Sequence, residues 1–554
     1  MISGFNGQYR DDDVARAVYS ESAGIARITP KAVAVPADVA DVQTLVRWAK
    51  RTHTPLIPRG SGSSMGNGAI GDGVIVDLSR LSHIGDVDRE RRAITVGPGA
   101  LRGDVDAVAR QHGLHFPPDP SSGKFCTIGG MISTSAAGSH TLKYGPIRHW
   151  VDALDCVFDD GTLVTITRGT LWQTLCSNAA AIARLETAER TLHDLLANKQ
   201  LGLSSITHPG VRKDSSGYAL AAFRDSGELI DLITGSEGTL VLIVGATLRL
   251  APVPAATSSL LGAFPTLESA VIAATHARDA GAAACELLDR TFLDVAARGA
   301  PLPHVPEGTE AVLLAEVEGD SANDAAQQAE SLQQAFTNDG ATSVTLAATV
   351  EAEDELWELR HAVSPILATL GASMTSMQFI EDGAVPPDRL PDYVRGIRGI
   401  LDAHGVPGVI FGHAGDSHVH VNPLIDVGRE NWRATVRAIL DEVVALTASL
   451  GGTLTGEHGD GRLRTPLLSK VWSAAARTQF EVIKGAFDPD SIFNPGVKVP
   501  LPNQSALGEI KYDPALLPLP APAAQALSRV AKERAYNCFR LDLIDHVDHP
   551  SPPS

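Results

Sequence analysis

Near the N-terminus, short strand-like runs of apolar residues alternate with one helical run. AVAVP (32–36) reads as a strand, and ADVADVQTLVRWAKRTH (37–53) carries its apolar residues at helical spacing, with Pro36 and Asp38 marking the start. PLIPRG (55–60) and VIVDLSRL (74–81) predict two further short strands, followed by RAITVGPG (92–99), DALDCVFDDGTLVTIT (152–167) and the run at 239–248. So many short β pieces separated by turns predict an α+β fold rather than the even βαβ repeat of a doubly wound sheet.

APVPAAT (251–257) punctuates the chain and predicts a boundary, giving a first domain over 1–255. Long helical segments, NDAAQQAESLQQAFTN (323–338) and NWRATVRAILDEVVALTASL (431–450), then alternate with short strands in a second α+β domain over 256–500. Residues 501–554 change character: a Pro/Ala-rich stretch at 516–524, one helical segment around 525–540 and a Pro/Ser/His end. This tail is expected to pack loosely or to meet a partner.

The composition is that of a globular protein, with 44% hydrophobic and 20% charged residues in 554. A formal net charge of −19 argues against a nucleic-acid partner, which needs clustered Lys and Arg. The longest apolar run, 239–248, is too short to span a membrane and reads as a buried strand. Asp11, Asp12 and Asp13 stand where a signal peptide would be basic and then apolar, so no export signal is expected. Cys126, Cys156, Cys176, Cys285 and Cys538 are scattered, with no CxxC pair to hold an iron–sulfur or zinc cluster, which fits a reducing cytoplasm.

Three Gly-rich segments and one His-rich region carry the candidate chemistry. PRGSGSSMGNG (58–68) follows a strand, so its successive amides can cradle phosphate, helped by Arg59 and the serine hydroxyls. Alone it is equally compatible with a flexible surface loop. It is not a Walker loop, and it lacks the helix and downstream acid of a dinucleotide fingerprint. Farther on come PPDPSSGKFCTIGGMISTSAAGSHTLKYG (117–145) and GSEGTL (235–240). In the second half, GHAGDSHVHVNP (412–423) and GEHGDG (456–461) gather imidazoles and acids among glycines, a common set for a divalent metal. Spacing alone pairs His418 with His420 on one strand face; polar surface histidines are the plain alternative.

In order and interval, the three Gly-rich segments resemble the FAD-binding domain of the vanillyl-alcohol oxidase / p-cresol methylhydroxylase superfamily. The resemblance implies a two-subdomain FAD-binding domain, then a ferredoxin-like α+β cap and a C-terminal helical segment. The implied FAD contacts are Arg59, Gly60, Ser61, Gly62, Ser63, Ser64, Gly66, Asp119, Thr127, Gly130, Ser133, Thr134, Gly138, Glu237, Gly238 and Thr239. Members that bind FAD covalently use a His of the first loop or a later Cys. No His lies between Arg59 and Gly68 and Cys126 is a remote candidate, so noncovalent FAD is expected.

The His-rich region resembles the D-2-hydroxy-acid dehydrogenase branch (D-lactate, glycolate, D-2-hydroxyglutarate) and its pattern G-H-x-G-D-G-N-x-H-x-N. That implies His413, His420 and Glu457 as ligands of a divalent metal, with zinc the first expectation, and His458 as general base. Ser417 and His418 depart from the pattern, leaving His418 as an extra ligand or a substrate contact. LWELRHAVSP (356–365) resembles the helix whose Arg grips the substrate carboxylate, which implies that role for Arg360. FIEDGAVP (379–386) resembles the family's EDVAVP strand. Asn422 matches a substrate-contacting Asn, and FDPDSIFNPGVKV (487–499) implies a flavin contact at Asn494.

The implied reaction is oxidation of a small D-2-hydroxy acid, such as D-lactate, to the 2-oxo acid, with hydride passing to flavin N5. The rivals are an oxidase using oxygen directly, a non-catalytic flavin-binding electron-transfer subunit, and an FAD-binding reductase acting on sugar nucleotides. The chain is similar to the FAD portion of long bacterial proteins that continue into an iron–sulfur domain. Two routes for the electrons stay open, a separate iron–sulfur or other acceptor protein or another route, and the chain is expected in the cytoplasm, or peripheral at the inner membrane through such a partner.

Overall fold

The computed structural model describes residues 2–170, 179–197, 206–299, 301–347, 349–361 and 373–545. The first part holds two principal sheets. Gln8–Arg10, Ala32–Val35, Val74–Asp77 and Leu56–Arg59 lie side by side in that order, the first pair antiparallel and the others parallel. The helix Val39–Thr52 makes the crossover. Asp38 caps it by accepting from the Asp41 amide at 2.9 Å, and Val42, Leu45, Val46 and Ala49 form its buried stripe. The second sheet is antiparallel, in the order Ile84–Asp88, Ala93–Val96, Leu242–Arg249, Val151–Val157, Leu163–Thr167. Its central strand is the apolar run at 239–248, and its last two are the hairpin expected at 152–167.

The second part is built on one eight-stranded antiparallel sheet. Ala256–Phe264, Leu267–Asp279, Ala284–Asp289, Ala311–Gly319, Ala322–Asn338 and Ser343–Leu346 run β-α-β-β-α-β in spatial strand order 4-1-3-2, the ferredoxin-like arrangement. Gly383–Ala384, Leu390–Ala403, Gly408–His413, His418–Asp426 and Trp432–Ser449 repeat the scheme, with Thr453 bridging Ala384 in place of a fourth strand. The halves join where Ala284–Asp289 pairs with Gly408–His413, and that seam sets Glu286 opposite His413.

After the second part the chain returns to the first. Trp472, Phe480 and Phe487 pack into the core of the five-stranded sheet, and Phe493 bridges Leu56. The tail differs from expectation. Ala521–Glu533 and Arg540–Asp545 bury Ala523, Ala526, Leu541 and Ile544 against Ala15, Val18 and Tyr19, so it packs firmly on the first part. The reason lies in its helices, which each present an apolar stripe that the Pro-rich composition hid.

Candidate active site

A cavity of about 1100 Å³ runs between the two parts. Residues 59–64 line one end, with Thr127, Gly129, Gly130, Ser133, Thr134 and Gly138 beside them. Close backbone approach explains the glycines: a Cβ on Gly60 would fall 2.1 Å from Thr127 Oγ1. Ser64 Oγ is buried without a partner, so the wall offers an unused donor. Asp119, Glu237 and Gly238 also line the cavity.

Three of the sequence-predicted cofactor residues lie behind this wall. Gly66 packs against Gly459 and Gly461, Thr239 shares its hydroxyl with Tyr218, and Asn494 donates to the carbonyls of Gly68 and Glu237. Glu237 turns its carboxylate inward, accepting from the amides of Asp460 at 2.7 Å and Gly461 at 2.9 Å and pairing with Lys498 at 3.0 Å.

At the other end the hairpin 408–426 brings His413 and His420 together. The strand ends at His413, a 3-10 turn covers Ala414–Asp416, Ser417 takes the left-handed conformation (φ 56°) and the chain returns. The turn thus brings His413 and His420, seven residues apart, to one place. Glu457 reaches in from the loop before Gly461. Its Oε1 lies 3.3 Å from His413 Nε2, 3.4 Å from His420 Nε2 and 3.7 Å from His458 Nε2.

Each of these imidazoles has its other nitrogen engaged. His413 Nδ1 meets Glu286 Oε1 at 2.5 Å, His420 Nδ1 donates to the Glu381 carbonyl at 3.1 Å, and His458 Nδ1 meets Glu381 Oε2 at 2.7 Å. Such outer partners fix the tautomer and leave Nε2 to face the centre. His418, the departure from the family pattern, is fully buried with Nε2 on Asp382 at 2.9 Å and Nδ1 without a partner. Burial holds its pKa down to about 3, so it is a neutral imidazole within reach of the other three ligand atoms.

The pocket suits a cation. Burial opposes charge on His413 and His458, yet Glu286 lifts the first to about 9, and Asp382 and Glu381 lift the second to about 10. Glu457 is held well below its usual range, against burial, by Lys213 and His413. A field that retains protons on imidazoles also stabilises a divalent ion in their place, with release of the protons. His413, His420 and Glu457 therefore fit a metal. The positions alone do not set His458 apart from the ligands.

Several residues that shape the site carried no assigned role in the sequence. Lys213 is buried with Nζ 2.8 Å from Glu457 Oε2. Asp382 accepts from the His458 amide at 2.9 Å and from the Thr455 hydroxyl, organising the loop that presents Glu457. Glu286 joins His413 to Arg360, whose Nε is 2.8 Å from Glu286 Oε2 and whose guanidinium lies 4.5 Å from the Phe411 ring centre. Arg360 and Asn422 are both on the cavity wall. The available signal was acids set among apolar residues, Glu286 in ACELLD (284–289) and Glu381 and Asp382 in FIED (379–382), since a buried carboxylate needs a partner. Residues 362–365 of the Arg360 segment lie outside the described residues.

Comparison with known proteins agrees with this architecture. Residues 30–167 match the FAD binding domain and residues 253–497 match FAD linked oxidases, C-terminal domain. A D-2-hydroxyglutarate dehydrogenase of Pseudomonas putida is 30% identical over 92% of this chain and 52% of its own length. A D-lactate dehydrogenase of Archaeoglobus fulgidus is 29% identical over 84% of this chain and 90% of its own. The glycolate oxidase subunit GlcD of Bacillus subtilis is 28% identical over 88% and 93%. The chain thus spans about half the length of the Pseudomonas relative. The solved structure of a 4-ethylphenol oxidase from Gulosibacter chungangensis superposes with a TM-score of 0.67 at 16% identity, over 89% of this chain and 94% of that one, and shares the fold. Both domains are present in order, so the chain carries an FAD binding domain followed by the C-terminal domain of FAD linked oxidases.

Proposed function

We propose that the protein oxidises a small D-2-hydroxy acid, lactate-like in size, to the 2-oxo acid, with noncovalent FAD and a divalent metal, zinc being the first candidate. The observation that carries this reading is the convergence of His413, His420, Glu457 and His458 at one end of the cavity whose other end is the Gly/Ser-rich loop. The names of the three relatives point to the same class of substrate.

Residues 59–64, 127–138 and 237–238 would hold the flavin, and His413, His420 and Glu457 the metal. When bound, these groups supply hydride acceptance and Lewis acidity. The protein's own part is positioning and proton transfer. Arg360, braced by Glu286, offers a planar guanidinium to the substrate carboxylate, and Asn422 adds a polar contact. His458, held through Nδ1 by Glu381, points Nε2 inward and would take the hydroxyl proton once a cation in the site has displaced the proton that Asp382 and Glu381 otherwise retain on it. A non-catalytic carrier would need none of this set. The subunit name of the GlcD relative supports an electron-acceptor protein as the partner that takes the electrons, in the cytoplasm or at the inner membrane. Among the described residues no helix is long and apolar enough to cross a membrane.

Anaerobic mixing with D- and L-2-hydroxy acids, following flavin absorbance and 2-oxo acid formed, tests the proposal. One D-acid should bleach the flavin and yield one 2-oxo acid per flavin; no bleaching by any acid in FAD- and metal-loaded protein would refute it.

A further inference from the structure

The tail contributes a wall of the cofactor cavity that neither matched domain contains, because the matches end at residue 497. Lys532, Arg534 and Tyr536 line the cavity together with the Gly/Ser-rich loop, Lys532 and Arg534 being exposed at its rim. The Tyr536 ring lies 5.3 Å from that of Phe125, itself on the cavity wall, and the Arg534 guanidinium lies 5.0 Å from the Phe125 ring. Behind the loop, buried Arg540 donates to the Ser61 carbonyl at 3.2 Å and to the Ala535 carbonyl at 3.4 Å, which ties the tail to the loop.

The charge arrangement favours an anion here. Arg59 and Arg540 are both buried, and each has a buried Nε without a partner. Burial and the neighbouring Arg59 hold Arg540 down to about 10. Like charges in a low-dielectric setting are costly unless a counter-charge sits nearby. Asp77, which accepts from Tyr19, is the acid near this pair, and a phosphate group on the loop would supply more negative charge.

We propose that segment 531–540 is part of the flavin site: it closes the cavity over the Gly/Ser-rich loop, with Arg540 bracing the loop and Arg534 and Tyr536 covering the phosphate-bearing portion of the dinucleotide. The proposal rests on the reading of loop 58–68 as the phosphate cradle. Its consequence is retention of the flavin, since a pre-ordered lid lowers the ordering cost of binding.

The test is FAD affinity, read in the full-length apoprotein by quenching of flavin fluorescence, together with the rate of FAD release. Arg534→Ala/Tyr536→Leu alters the cavity rim and keeps the Arg540 hydrogen bonds to Ser61 and Ala535, losing only the aromatic face of residue 536 beside Arg540. It should raise the FAD dissociation constant at least tenfold and speed release, with the apoprotein still folded and its melting temperature lowered by no more than a few degrees. Arg540→Met should do the same more strongly; if that variant misfolds, the rim pair decides. A dissociation constant within twofold of wild type in the rim pair would overturn the proposal. A wild-type chain that takes up no FAD would remove the flavin reading and this proposal with it.

Discussion

Glu457 Oε1 lies within 3.3–3.7 Å of three imidazole Nε2 atoms, so the role of each histidine depends on what stands behind it. His458→Ala should lower the rate of flavin reduction by about 10²–10⁴-fold, with FAD and metal content unchanged. Loss of metal in that variant would make His458 a ligand instead. Glu286→Gln weakens the acceptor that fixes His413 and should reduce metal affinity by about 10–100-fold, measured by competition with a chromogenic chelator. Unaltered affinity would show that the Glu286 contact does not tune the site. Two dense motifs made the His-rich region legible, but spacing alone pairs His418 with His420, and the set His413, His420 and Glu457 comes from the family resemblance. Glu286 and Lys213 had no role assigned: an acid in the apolar run ACELLD signals a buried partner without naming it, strand pairing supplies that partner as His413, and Lys213 lies in a segment with no such cue.

Among elements, the loop 456–461 does most to join the two ends of the cavity. It presents Glu457 and His458, and its last glycine touches the Gly/Ser-rich loop. Gly461 has a φ of 52°, and an added Cβ would fall 1.7 Å from the Gly66 carbonyl oxygen. Gly461→Ala should cost more than about 1 kcal/mol of stability and loosen both FAD and metal, read by thermal unfolding and by cofactor content after gel filtration. Retention of both at wild-type levels would remove this loop as the link. Strand and helix positions were readable from periodicity, as in the stripe Val42, Leu45, Val46 and Ala49. The odd spacing of His413 and His420 was not resolved that way. The hairpin turn at 414–417 depends on Ser417 accepting a left-handed backbone, and the sequence gives no strong cue for that.

Across the whole molecule, three chain segments meet at a buried charge cluster. Lys498 from the C-terminal return pairs with Glu237 of the first part at 3.0 Å and with Asp460 of the loop 456–461 at 3.1 Å. Lys498→Met leaves two buried carboxylates without their cation and should destabilise the protein by about 3–5 kcal/mol, measured by denaturant unfolding; a change below 1 kcal/mol would contradict the cluster's role as a joint. The fold class and the two-part layout were readable from element order and the Pro/Ala break at 251–257. The packing of the tail was not, because composition reports solubility better than it reports which face of a helix is covered. The central claim is that the metal-end cluster and the flavin cavity act as one site. The most direct measurement is anaerobic flavin bleaching by D-lactate and related D-acids before chelation, after chelation and after zinc is returned. Bleaching that disappears with the metal and returns with it, while FAD stays bound, is the result expected. Bleaching at full rate in metal-free protein would contradict the account.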